Sequence, residues 1–251
     1  MTRCVLCGGD SFPLKRVARY SILRCVKCAL EFAHPTPSPR TLRRFYSGYS
    51  DPRARRHVLA ANARQNIRRI EQEYGVGASS RLLDYGCGKN VFVRTGLEMS
   101  ERPWRGYDPH SADAGLRLAP IGLFDAVVMW GVLEHLPDPA ATLHTALAPL
   151  VRPGGFIFLT TVSTETGIPY VHKPPEHLTY WTRAAIVRLF AHPPWHVEDV
   201  RPYMMYQEPT VYLGRVLRSV PEVVRRHIHH DLKGLVRVPT NEVLVAVRKM
   251  R

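Results

Sequence analysis

The stretch Leu82-Leu83-Asp84-Tyr85-Gly86-Cys87-Gly88 constrains the fold more tightly than any other part of the chain. Arg81 to Tyr85 reads as a short apolar strand carrying a carboxylate near its end, Gly86 to Gly88 as a turn, and Val91 to Met99 as the helix that follows. Glycine lets the backbone turn tightly and lets a ligand approach it closely. Gly-x-Gly by itself is common. A second carboxylate makes it informative: Asp108 closes the next candidate strand, Arg105 to Asp108, about two dozen residues downstream, where a carboxylate can accept both hydroxyls of an adenosine ribose.

The pattern then repeats. Phe124 to Trp130 is a continuous apolar run, as expected of a strand buried on both faces. Pro139 to Leu150 reads as a helix ended by Arg152-Pro-Gly-Gly155, and Phe156 to Thr161 as another buried strand. A helix over Thr182 to Phe190 precedes two closing strands, His196 to Tyr203 and Glu242 to Lys249, with a basic helical stretch, Val211 to His230, between them. Strands alternating with helices predict an α/β, Rossmann-like, doubly wound and mostly parallel sheet with an antiparallel closing strand over residues 76–251.

Four of the five cysteines form two Cys-x-x-Cys pairs, Cys4/Cys7 and Cys25/Cys28. Each pair makes a knuckle that aims two thiolates at one point, and two facing knuckles make a tetrahedral zinc site. Four thiolates leave no open coordination position, so the expected role is structural, and a unit as short as residues 1–33 would take its folding energy from the metal. Residues 1–33 thus read as a small zinc-ribbon-like module. Residues 34–40 hold three prolines at alternate positions and read as a linker without helix, with Thr41 or Ser38 capping a helix over Thr41 to Tyr74. Residues 34–75 together form a connector.

No apolar run approaches the about 20 residues that span a membrane, and Met1-Thr2-Arg3-Cys4 has no apolar signal core, so the expectation is a cytoplasmic protein without a membrane partner. Formal net charge is +14. It fits an anionic partner (nucleic acid or a phosphorylated small molecule), and it equally fits the arginine-rich composition of a GC-rich genome. Arg40, Arg43, Arg44, Arg53, Arg55, Arg56, Arg64, Arg68 and Arg69 cluster between the cysteines and the first strand of the parallel sheet.

Asp84-x-Gly-Cys-Gly88 resembles the first motif of the class I S-adenosylmethionine (SAM)-dependent methyltransferases. Phe124-Asp125 through Trp130-Gly131 to Glu134-His135-Leu136 is similar to their fourth-strand motif, and Leu147-x-x-Leu150-Val-Arg-Pro153-Gly154-Gly155 to the turn before their fifth strand. Cys25-x-x-Cys28-Ala-Leu-Glu-Phe32, Leu42-x-x-Phe45-Tyr46-x-x-Tyr49 and Pro175-Glu176-His177-Leu178-x-Tyr180-Trp181-Thr182 resemble a subgroup with an N-terminal zinc module that includes sugar C-methyltransferases. The resemblance implies SAM as cofactor, with Asp84, Gly86 and Gly88 near its methionine part and Tyr85 and Cys87 in the same turn. It places Asp108, followed by Pro109, at the ribose, and Trp130 and Gly131 along the cofactor. His135 is then the favoured base or acceptor-orienting residue, beside Glu134, and His177 is a second candidate on a lid over residues 172–181. Tyr46 and Tyr49 are candidates to close over cofactor or substrate; at helical spacing they also fit packing against the domain.

Three departures bear on function. Asn90 stands where the motif has a third glycine, and asparagine tolerates the left-handed conformation. Residues 109–123 are too few for the helix, strand and adenine contact of most relatives, with Asp113 the candidate contact. Val132 stands where the sugar C-methyltransferases carry a tyrosine. The leading expectation is methyl transfer to a small-molecule acceptor, a sugar, nucleotide-sugar or secondary metabolite. Two others stay open: an RNA methyltransferase, which the charge and zinc module fit, and a non-catalytic binding protein of the same fold, which Asn90 and the short segment fit. His227, His229 and His230 read as a solvated helix end.

Overall fold

The computed structural model describes residues 2–47, 55–168, 170–216 and 234–251. Tyr49, Arg53 and the histidines at 227, 229 and 230 therefore lie outside the described residues. The chain opens with three antiparallel strands, β1 (Ser11–Val17), β2 (Tyr20–Cys25) and β3 (Glu31–His34). The proline stretch differs from expectation at its end. Helix α1 (Pro39–Ser47) starts inside it, because proline is tolerated in a first turn, where an N–H would lack a helical partner anyway. Ser38 is the cap: its Oγ accepts from the Thr41 N–H at 3.2 Å and its carbonyl from Leu42 at 3.0 Å. Helix α2 (Arg56–Tyr74) follows as a separate element and stops at Gly75, whose φ of 69° lets its N–H turn back to the Glu71 carbonyl.

The large sheet begins with β4 (Leu82–Tyr85), α3 (Val91–Met99), β5 (Trp104–Tyr107) and β6 (Phe124–Trp130). The Asp138 side chain caps α4 (Pro139–Ala141), which widens into a π turn over Thr142–Leu147 and tightens to a 3-10 turn over Ala148–Leu150. The expected turn at 152–155 is absorbed into β7 (Val151–Val162): Phe124 pairs with Val151 but Ala126 with Phe156, so the Pro-Gly-Gly segment bulges out of the ladder. Then come β8 (Thr179–Tyr180), α5 (Arg183–Leu189), β9 (Trp195–Gln207), α6 (Pro209–Val216) and β10 (Val236–Lys249). Both closing strands are longer than their apolar patterns suggest.

Strand order is β5-β4-β6-β7-β10-β9. The first four strands are parallel, and β10 runs antiparallel between β7 and β9. This is the expected α/β architecture. Residues 109–123 contribute a 3-10 turn, Gly115–Arg117, and no strand among the described residues, which leaves β5 at the edge. Alternation along β4 sends Leu82 to the face covered by α2 and α3, and Leu83 to the face covered by α5. The cysteine end of the chain shares the second core. Cys4, Leu23, Cys25, Cys28, Leu30 and Phe32 lie in one buried cluster with Leu159, Trp181 and Ile186. β8 also completes the small sheet, since Glu31 pairs with Tyr180 and Phe32 with Thr179.

Candidate functional site

At the carboxyl ends of β4 and β5, Gly86 (φ +79°) and Gly88 (φ +52°) turn the chain into α3. Gly86 must be glycine: a Cβ there would stand 2.7 Å from Val132 Cγ2. The turn hangs on β5, with the Gly86 and Cys87 N–H groups donating to the Tyr107 carbonyl at 2.7 and 3.1 Å. Asn90 keeps the left-handed conformation, φ 55°, and lies over Gly106, where a Cβ would collide with its Oδ1. Asp108 accepts from Gly88 N–H at 2.9 Å and His110 N–H at 2.8 Å, which fixes its carboxylate beside the turn. Asp84 is buried, and burial together with the charge of Asp108 pushes its carboxyl up to about 8. Burial pushes the Cys87 thiol up to about 12. Tyr85 packs its ring against Tyr107 and Trp130 against Phe92, while Gly131 N–H donates to Thr160. Pro109 stands exposed between Asp108 and His110, and Asp113 caps a local turn through Gly115 N–H at 2.8 Å.

The second wall forms just past β6. Glu134 is buried, accepts from Thr161 Oγ1 at 2.9 Å, and is pushed by burial up to about 7. His135 Nδ1 lies 2.6 Å from the Glu176 carbonyl oxygen. A carbonyl can only accept, so Nδ1 carries the proton and Nε2 keeps the basic lone pair. Burial holds His135 below the usual imidazole range, so it is neutral at pH 7. His177 packs edge-on to it with ring centroids 4.8 Å apart, and donor atoms of Glu134, His135 and His177 all fall within 4.8 Å of one another. Tyr46 reaches across from α1. Its hydroxyl lies 3.1 Å from His135 Nδ1, and its ring stacks on His110 at 5.0 Å. The sequence therefore named Glu134, His135, His177 and Tyr46, which the fold brings together. It missed His110, Thr161 and the Glu176 carbonyl: the first two belong to no motif, and a backbone carbonyl leaves no mark in a sequence.

The four cysteines of residues 1–33 form a separate cluster, with Sγ···Sγ distances of 3.7 Å for Cys4–Cys28, 3.5 Å for Cys7–Cys25 and 3.6 Å for Cys7–Cys28. Backbone N–H groups of Leu6, Lys27 and Cys28 point at these sulfurs.

A family described as methyltransferase domain matches residues 53–193, more than half of the chain. The chain belongs to this methyltransferase-domain family, and its mostly parallel α/β sheet fits the class I, SAM-dependent type. The chain is 36% identical over 115 residues to the ubiquinone biosynthesis O-methyltransferase of Aromatoleum aromaticum, covering 38% of this chain and 48% of that protein. It is 33% identical over 106 residues to the enzyme of the same name from Ralstonia nicotianae, covering 34% and 44%. The chain thus spans about half the length of these curated relatives. Among solved structures, the O-methyltransferase of a Brevibacillus brevis trans-AT PKS multienzyme, in complex with S-adenosyl-L-homocysteine, is similar with TM-score 0.50, 15% identity, and coverage of 86% of this chain and 81% of that one. The cyclase SpnF is similar with TM-score 0.50 and 14% identity over 86% and 98%. Both likenesses show the fold alone, and the cyclase shows that this fold does not decide the reaction.

Proposed function

We propose that the chain is a SAM-dependent methyltransferase that methylates a hydroxyl of a small-molecule acceptor, with His135 as the base. The observation that carries this reading is the 2.6 Å link between His135 Nδ1 and the Glu176 carbonyl, which leaves a neutral imidazole with a basic Nε2, three residues past the Val132 that packs on Gly86. The residues present fit the cofactor. Open space stands where Gly88 would carry a Cβ, and Asp84 is a buried carboxyl group with no cation paired to it among the described residues, so a bound cation would favour its ionised form. Asp108 supplies the carboxylate for the ribose. Bound SAM supplies a methyl on a sulfonium, and the transfer is an in-line displacement in which alignment contributes most. His135 Nε2 takes the acceptor's proton, Tyr46 and the Glu176 carbonyl hold its ring, and His177 lines the acceptor side. Val132 presents two methyl groups to the turn where a sugar C-methyltransferase would offer a phenol, which favours O- over C-methylation.

We further propose that Cys4, Cys7, Cys25 and Cys28 hold one Zn²⁺ in a structural role, residues 1–33 being the zinc module and 76–251 the catalytic domain. Tetrahedral zinc with bonds of about 2.3 Å requires sulfurs about 3.8 Å apart, close to the spacings seen here.

The test is transfer of labelled methyl from SAM into a host extract fractionated into RNA, protein and small molecules. Label in the small-molecule pool that disappears with His135→Ala is the expected result. Label in RNA would overturn the acceptor class. Calorimetry showing no SAM binding would overturn the reaction itself.

A further inference from the structure

The proposed cleft uses none of the arginines that raise the net charge to +14. Four of them meet elsewhere. Helical spacing places Arg64, Gln65, Arg68 and Arg69 on one side of α2. They border an open cavity of about 390 Å³, walled opposite by Tyr206 of β9 and Arg237 of β10, which are cross-strand partners. One carboxylate, Glu73, also lines it, and it is already shared between Arg69 at 3.7 Å and Arg201. Arg64 is answered from outside the cavity by Glu98 at 3.4 Å. Arg68 and Arg237 have no ion pair among the described residues. Arg64 and Arg68 are also like charges one helical turn apart, an arrangement that opposes helix formation unless a counter-charge is supplied. Burial, with the charges of Arg201 and Arg237, holds Arg69 below the usual guanidinium range.

We infer that this groove is an anion site for a phosphorylated small molecule of the diphosphate class. Guanidinium forks match pairs of phosphate oxygens, several forks around one cavity match two adjacent phosphates, and Tyr206 adds a ring face at its wall. The cavity has the volume of a small-molecule site, roughly 300–1,000 Å³, rather than the length of a groove that tracks a polynucleotide. It shares no residue with the methyl-transfer cleft, so it stands or falls independently of that reading.

The experiment is calorimetric titration of the full chain with inorganic pyrophosphate at low salt. Wild type should bind, and Arg68→Ala/Arg237→Ala should weaken binding by about tenfold or more, as loss of two charge-assisted forks predicts. Arg16→Ala/Arg19→Ala, which removes the same charge from the small sheet, should change it less than about twofold, because neither side chain lines the cavity and no fork to the anion is lost. Arg68→Lys, keeping the charge without the fork, should fall between. Unchanged SAM affinity and melting temperature in each variant establish that the protein remains folded. No pyrophosphate binding at millimolar concentration, or equal losses in the two double variants, overturns the site. A single-stranded oligonucleotide that displaces pyrophosphate with a steep salt dependence would assign the groove to nucleic acid and overturn the small-molecule class.

Discussion

Asp84 and Glu134 are buried carboxyl groups held protonated well above their ordinary range, up to about 8 and about 7. An unfolded carboxyl titrates near about 4. Between these values the folded chain binds more protons than the unfolded one, so these two groups make stability fall as pH rises from about 4 to about 8. Glu31 works in the opposite sense. Burial opposes its ionisation, but hydrogen bonds from His172 and Tyr170 prevail and lower it, so its contribution is lost only under more acidic conditions. The cofactor-free protein should therefore melt higher at about pH 5.5 than at about pH 8.5, and Asp84→Asn should flatten the curve. At the alkaline end that variant should gain a few degrees, at about 2–4 °C per kcal/mol for a chain of this size. A variant with the wild-type slope would show that the buried charge lies elsewhere. Gly86→Ala tests the same turn sterically. Its Cβ would press on Val132 in a left-handed backbone, so it should cost more than about 1 kcal/mol, and Val132→Ala should restore only the steric part. Denaturant titration of the two single variants and the double variant checks this.

At the scale of elements, the short strand β8 connects the two sheets. It pairs with β3, and the segment around it holds the wall proposed for the acceptor: Leu178 N–H donates to the Glu134 carbonyl at 2.7 Å, and the Glu176 carbonyl holds His135. Glu31, on β3, is buried and lies 2.8 Å from His172 Nε2, while Tyr170 donates to it at 3.0 Å. Removing Glu31 would leave His172 buried without its acceptor, at about 1–3 kcal/mol. Glu31→Ala should therefore lower kcat several-fold through a loosened His135 wall, while SAM affinity, which the proposal assigns to the glycine turn, should stay as in wild type. Equal loss of both would show general unfolding rather than a positioning role. Little of this was legible in the sequence. Gly86, Asp108 and the Glu134-His135 pair announced themselves because they sit at strand ends in a recognisable order. β8 did not, since two residues carry no periodicity and their partners lie far back in the chain. The start of α1 inside the prolines and the bulge in β7 were hidden for a related reason: both use a breaker residue where local geometry tolerates it.

For the whole molecule, the parallel sheet was legible because its strands are continuous apolar runs between turn residues, whereas the shortness of 109–123 bore in the sequence only on the adenine contact, and the edge at β5 is seen in the fold. The join between the cysteine module and the sheet was not, because pattern along a chain says nothing of which apolar faces meet. That join changes what metal removal should do. A zinc unit resting on its own core would melt alone and leave the α/β domain with its original transition. Here Cys4, Cys25 and Cys28 share a buried cluster with Leu159 of β7 and with Trp181 and Ile186, and the Thr182 hydroxyl that caps α5 donates to the Cys28 carbonyl at 3.1 Å. Loss of the proposed zinc would release four thiols into that common core and loosen β3 and β8 together. Chelation should therefore lower one cooperative melting transition for the entire chain, and Cys4→Ser/Cys7→Ser should reproduce the shift without chelator. Calorimetry resolving two transitions, the upper one unmoved by chelation, would show that the cysteine end folds apart from the domain and that the proposed zinc has no hold on the wall around His135.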